Sequence, residues 1–253
     1  MGEKLLVSNL VELDQLITEV TEGLNLSDET LHEYREKMLR YAERKDLKLG
    51  GDELYDMLIL KALDNIDPEL VDMSFEDIVL GFYENPPFLE ADWTFVASRI
   101  FMDKLYRIAA KNRGYDPKQK YGSLYDLLKI LSEKGPITGE LLEKYTREEI
   151  DELERTIDPE LDKKHNYIGA YLMEERYLTK DYEHNLYELP QERYMIIAMY
   201  IMKDEPKEKR MEYIKDMYWA LSNKVYTVAT PTMNNAGKSY GQLSSCFIDT
   251  PDD

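Results

Sequence analysis

Cys246 is the only cysteine in 253 residues, and it is the side chain with the widest chemical repertoire in the sequence. An ionised thiol can attack, give up a proton, or donate electrons by closing a disulfide with a second thiol. By itself, a lone cysteine in a β-branched run is most often a small buried apolar residue. Three histidines, His32, His165 and His184, are scattered among polar residues without the spacing of a metal-binding pair, so they read as surface residues. The acidic clusters Glu148-Glu149 with Asp151-Glu152, and Glu174-Glu175, lack the Glu-x-x-His pair of a di-metal carboxylate site. They read as solvated helix faces. Twenty tyrosines are available for packing.

The elements that would position such groups are mostly helical, because apolar residues recur at three and four until about residue 220. Leu10, Leu13, Leu16, Ile17 and Val20 form one stripe, with Gly23 as its stop. Ser27 caps a second helix that ends by Gly50-Gly51, and a third runs from about Asp52 to Asn65. A short helix is expected between Met73 and Leu89, followed by the loop signal Asn85-Pro86-Pro87. Trp93 to Asn112 is strongly amphipathic and Gly114 ends it. Leu124 to Leu131 is broken by Gly135-Pro136, and Thr146 with Glu149 has capping-box spacing. Further helices are expected at about 167–177, 190–202 and 207–222. Beyond them the pattern changes. Val225 to Val228 and Ser245 to Ile248 read as two strands, joined by a polar loop from Asn234 to Gln242. Two strands at the end of a helical chain need partners for their edges, which implies completion by another polypeptide segment.

With 43% apolar residues the chain can bury a core. A formal charge of −19 repels a phosphate backbone and argues against nucleic-acid binding. One cysteine excludes an internal disulfide framework and fits the reducing cytoplasm. The first residues carry Glu3, Glu12 and Asp14, and no stretch has the length and apolarity of a signal peptide or membrane span.

From Val225 to Asp253 the sequence resembles the opening of the ten-stranded α/β barrel of ribonucleotide reductase large subunits. Thr230-Pro231 stands ahead of Ser244-Ser245-Cys246 at the spacing seen in that family. Weaker similarity runs upstream through Arg193-Tyr194 to Trp219, and through Asp92 to Arg99 with Asn112-Arg113-Gly114-Tyr115. The resemblance implies a class I large, catalytic subunit. It also implies three regions: a degenerate ATP-cone-like helical domain over residues 1–112, a helical N-terminal domain over 113–222, and the start of the barrel over 223–253. The cone of the family opens with a Lys-Arg-x-Gly turn, and Leu5-Leu6-Val7-Ser8 here runs on without one.

The same resemblance implies the chemistry. Cys246 would be one thiol of a redox-active pair whose other member lies on a segment that this chain lacks. Thr230 and Ser245 would contact the ribonucleoside diphosphate substrate, and Asp253 would begin the loop that reads a nucleoside triphosphate effector. The chain itself would bind no metal. The complete enzyme would need a radical-generating, metal-containing small subunit, a thioredoxin or glutaredoxin reductant, and the C-terminal half of the large subunit. A homodimer of the completed subunit is implied, with no membrane and no direct nucleic-acid partner, and the fragment alone would be inactive. The competing expectation is an acidic helical adaptor whose two terminal strands add to a partner's sheet.

Overall fold

The computed structural model describes residues 2–49, 51–66 and 92–246, with side chains from residue 9 onward. It divides into two compact units, Met1–Lys104 with His165–Tyr171, and Leu105–Lys164 with Leu172–Asp253.

In the first unit, α1 (Gly2–Thr21), α2 (Asp28–Lys45), α3 (Asp52–Leu63) and the start of α4 (Trp93–Arg113) supply the core. Leu13, Leu16, Ile17 and Val20 turn inward from α1, Tyr34, Met38 and Ala42 from α2, and Leu54, Tyr55, Leu58 and Ile59 from α3. Each fully buried side chain of this size contributes about 1.5–3 kcal/mol. Trp93 is wholly buried and its ring lies 5.0 Å from that of Tyr34, whose hydroxyl donates to the Leu58 carbonyl. Ser27 caps α2 by accepting from the Thr30 N–H. Gly23, at φ 71°, follows α1 as its spacing predicts, and Arg99 satisfies two carbonyls left open there, those of Val20 and Glu22. The helix expected between Met73 and Leu89 lies outside the described residues.

The second unit continues α4 and adds α5 (Leu124–Glu133), α6 (Glu140–Lys144), α7 (Arg147–Glu154), a 3-10 turn at Pro159–Lys164 and a π turn at Met173–Tyr177. Between those two turns in sequence comes α8 (Tyr167–Leu172), which except for Leu172 belongs to the first unit. α9 (Pro190–Ile201), α10 (Lys207–Ser222) and α11 (Thr230–Asn235) complete the order. The capping box of α7 forms as its sequence predicts: the Thr146 hydroxyl accepts from the Glu149 N–H and the Glu149 carboxylate from the Thr146 N–H. α9 is the central element, with Met195 to Met199 completely buried.

The two strands expected at Val225–Val228 and Ser245–Ile248 are not seen among the described residues. Among the described residues no strand forms, and β-pairing is limited to isolated bridges, Ile137 with Lys238 and Lys180 with Leu186. Two local reasons account for the first one. Lys224 takes a left-handed conformation (φ 61°), and the Val225 and Lys224 N–H groups close onto the Ala220 and Leu221 carbonyls. That is a Schellman cap, so the supposed strand begins as the C-terminal seal of α10. Thr230-Pro231 then starts α11, where a proline in the first turn costs no hydrogen bond. Ser245 and Cys246 lie in irregular backbone, and Phe247 and Ile248 are outside the described residues.

Candidate functional site

The segment after α10 folds back on itself as a closed loop. The Thr232 hydroxyl donates to the Leu243 carbonyl at 2.9 Å, and the Asn235 side-chain amide donates to the Gln242 carbonyl at 2.9 Å. These two bonds tie α11 to the approach to Ser245 and Cys246. The loop is also tied down from outside: the Gly237 carbonyl accepts from the Thr138 N–H, and the Ser239 N–H donates to the Pro136 carbonyl. Gly237 has φ 77°, and a Cβ there would stand 2.9 Å from a methyl group of Ile196 on α9. Only glycine satisfies both the dihedral and the close approach.

Thr230, Ser245 and Cys246 are all exposed on this loop. The Ser245 hydroxyl lies 3.8 Å from the Cys246 sulfur. Asp253 lies outside the described residues. The loop therefore carries three of the four residues singled out from sequence, with the thiol open to solvent instead of buried as a packing residue.

Beneath the loop is a set of buried polar side chains that the sequence reading passed over. Gln191, Glu192 and Arg193, in the first turn of α9, are completely buried, as is Glu188 just before it. Arg193 donates to the Met233 carbonyl (Nε, 2.8 Å) and the Ala236 carbonyl (Nη2, 2.6 Å). Its remaining nitrogen faces Glu188 at 3.5 Å, while the other Glu188 oxygen accepts from the Thr179 N–H at 2.6 Å. Lys238 donates to the Asn234 side chain, and burial lowers its pKa to about 8, with Glu188 opposing and Arg193 reinforcing the shift.

Glu192 and Gln191 anchor two further networks. Arg113, at the end of α4, donates to both Glu192 oxygens at 2.7 and 3.0 Å and to the Tyr187 and Ser123 carbonyls. Glu192 also accepts from the Leu189 N–H. Burial raises the Glu192 pKa while the guanidinium pulls it back. Gln191 donates to Asp162 at 2.8 Å, and Asp162 also accepts from the hydroxyls of Tyr106 and Tyr121. Asp162 is 2% exposed, and burial raises its pKa to about 6 against those three donors. The charge nearest in kind is Lys224, which donates to the Tyr194 hydroxyl at 2.7 Å and whose pKa burial lowers to about 8.

The sequence carried one signal for this cluster. Glu188-Leu189-Pro190-Gln191-Glu192-Arg193 sets four polar residues around a helix-starting proline, ahead of the apolar run Met195 to Met199. Proline fixes the helix start, and the unbroken apolar run behind it marks a helix buried all round, so the polar residues of its first turn are buried with it. The histidines divide: His32 and His184 are exposed, whereas His165 is buried, contrary to the surface position expected for it. Among the described residues no group of three or more His, Cys, Asp or Glu side chains could hold a metal ion, and no helix is long and apolar enough to cross a membrane.

A helical scaffold that presents a solvent-open thiol on a clamped loop makes this an all-α domain among the described residues. Residues 163–241 match the family described as ribonucleotide reductase, all-alpha domain. The chain belongs to the ribonucleotide reductase large-subunit family and corresponds to the N-terminal region of its members. It is 33% identical over 206 residues to the ribonucleoside-diphosphate reductase subunit alpha of Helicobacter pylori (strain ATCC 700392 / 26695), covering 81% of this chain and 22% of that protein. It is 34% identical over 161 residues to the subunit alpha of Treponema pallidum, covering 64% and 19%. With ribonucleoside-diphosphate reductase 1 subunit alpha of Escherichia coli K12 the identity is 28% over 159 residues, covering 62% and 20%. The chain thus spans about a fifth of the length of the relatives it matches.

Proposed function

We propose that this chain, joined to the remainder of its large subunit and to a radical-generating small subunit, reduces ribonucleoside diphosphates to deoxyribonucleotides. The observation that carries the reading is an exposed Cys246 on a clamped loop, in a chain related over four fifths of its length to a reductase alpha subunit. The ribose 2′-hydroxyl leaves as water while Cys246 and a second cysteine, on a segment beyond this sequence, become a disulfide. One carbon–oxygen bond is reduced by two electrons and two thiols are oxidised by two. The only cysteine of this chain can supply one sulfur of that pair.

Thr230 and Ser245 hold the substrate through their hydroxyls, and Asp253 begins the effector loop. The radical originates in the metal centre of the small subunit, and thioredoxin or glutaredoxin re-reduces the disulfide in the cytoplasm. The completed subunit acts as a homodimer. The region up to about residue 112 is a cone-like helical cap without the phosphate-gripping turn, so dATP does not inhibit through it; tight dATP binding to this chain would contradict that.

The adaptor reading required two free strands at the end of the chain. Among the described residues, Val225 to Cys246 instead form a short helix and a loop fastened by side chains, which removes the first of the two strands that reading needs. The test is reconstitution. The chain, the remainder of the subunit and the small subunit are combined and conversion of CDP to dCDP is followed. Turnover that requires all three components is expected; assembly without any turnover would sink the proposal.

A further inference from the structure

We infer that Arg193 is the positioning residue of the Thr230–Cys246 loop, its guanidinium fixing α11, and with it the substrate hydroxyls, from inside the protein. The role toward substrate rests on the reductase reading; the clamp itself does not.

Four observations carry it. The guanidinium is 0% exposed, yet two of its nitrogens are aimed at main-chain carbonyls of one short segment, Met233 and Ala236, in and just past the last turn of α11. Those are the carbonyls a helix end leaves open, and a cation there also meets the negative end of the helix. The third nitrogen faces Glu188, itself completely buried and anchored by the Thr179 N–H, so the charge is neutralised by a carboxylate that is held in place independently of α11. α11 begins at Thr230, and its Thr232 hydroxyl holds the Leu243 carbonyl, so the pose set at Met233 and Ala236 extends to both arms of the loop.

A purely structural role is a poor explanation for such a pair. A buried ion pair seldom stabilises more than apolar residues of the same volume, and it persists where direction matters. Here the direction is set by two carbonyls on the loop. Neither the Glu188 oxygen nor the Arg193 nitrogen that face each other completes a hydrogen bond, which places the stronger contacts of Arg193 on the loop instead of on its counter-ion.

Two variants test it. Arg193→Lys keeps the charge opposite Glu188 but replaces the fixed fork, whose Nε and Nη2 bond the two carbonyls separately, with a single nitrogen. The double variant Arg193→Met with Glu188→Gln removes both charges while keeping volume and the acceptor for Thr179, so the fold survives even where the lysine variant does not. Backbone amide hydrogen exchange is measured on the full chain. The expected result is exchange at Met233, Ala236 and Lys238 faster by about tenfold or more, the equivalent of losing about 1.4 kcal/mol locally, with the amides of α9 and α10 unchanged. In the reconstituted reductase the same variants are expected to raise the KM for the ribonucleoside diphosphate by about tenfold while kcat stays within about twofold. Unchanged loop exchange in both variants, or exchange accelerated evenly across the unit, overturns the clamp. Faster loop exchange with an unaltered KM overturns its positioning role. A wild-type reconstitution that never reduces ribonucleotides contradicts the reductase reading and leaves the exchange result to decide the clamp.

Discussion

Asp162 is one of two buried carboxyls in the second unit, with Glu192, that burial makes pH-sensitive in the same direction. Its carboxyl accepts from Tyr106, Tyr121 and Gln191, yet burial outweighs these donors and raises its pKa from 3.8 to about 6. Between about pH 4 and 6 this group stays protonated in the folded protein when the unfolded chain has released the proton, so its contribution to stability is fully present below about pH 4 and is lost as pH rises through 6. The loss is on the order of 3 kcal/mol for this group. In denaturant melts between pH 4 and 7, Asp162→Asn is expected to flatten that component of the slope relative to the native chain; an identical slope in the variant would show that another group sets it. Nothing in the sequence distinguished Asp162 from the fifty other acidic residues, because its role depends on two tyrosines and a glutamine brought from three other elements.

At the level of elements, local signals were readable where the physics is local. The Ser27 cap, the Thr146–Glu149 capping box and the glycine stops at Gly23 and Gly114 each form as their spacing predicts. Thr146→Ala should cost about 1 kcal/mol, read as a lower denaturation midpoint with an unchanged slope; no change would mean that Glu149 alone holds the helix start. The strands failed for a reason equally physical. Val225-Tyr226-Thr227-Val228 has strand composition, but strand propensity is a preference for a pleated, half-buried surface, and no strand among the described residues supplies one. A non-glycine residue, Lys224, caps α10 in the left-handed conformation, which sequence alone does not announce. Gly237 makes the loop's attachment testable apart from Arg193. Gly237→Ala places a methyl group against Ile196 at positive φ and should destabilise the second unit by about 1–2 kcal/mol; a neutral effect in thermal melts would show that the loop shifts freely.

For the molecule as a whole, composition bounded the answer and the family supplied the rest. A net charge of −19 offers no basic field for phosphates, so the proposed nucleotide would be gripped locally, by hydroxyls and main chain. The candidate loop was legible as Thr230, Ser245 and Cys246 because a short motif carries them. Its supports, Arg193, Glu188 and Gly237, were not, because each acts across tens of residues of sequence. The proposed chemistry rests on one sulfur, so its most direct test is the reconstituted enzyme carrying Cys246→Ser. The account predicts that this variant assembles and binds CDP as the native chain does but forms dCDP only at background, and that native enzyme turned over without external reductant holds Cys246 in a disulfide. Turnover by Cys246→Ser within a few-fold of native, with the complex intact, would contradict it.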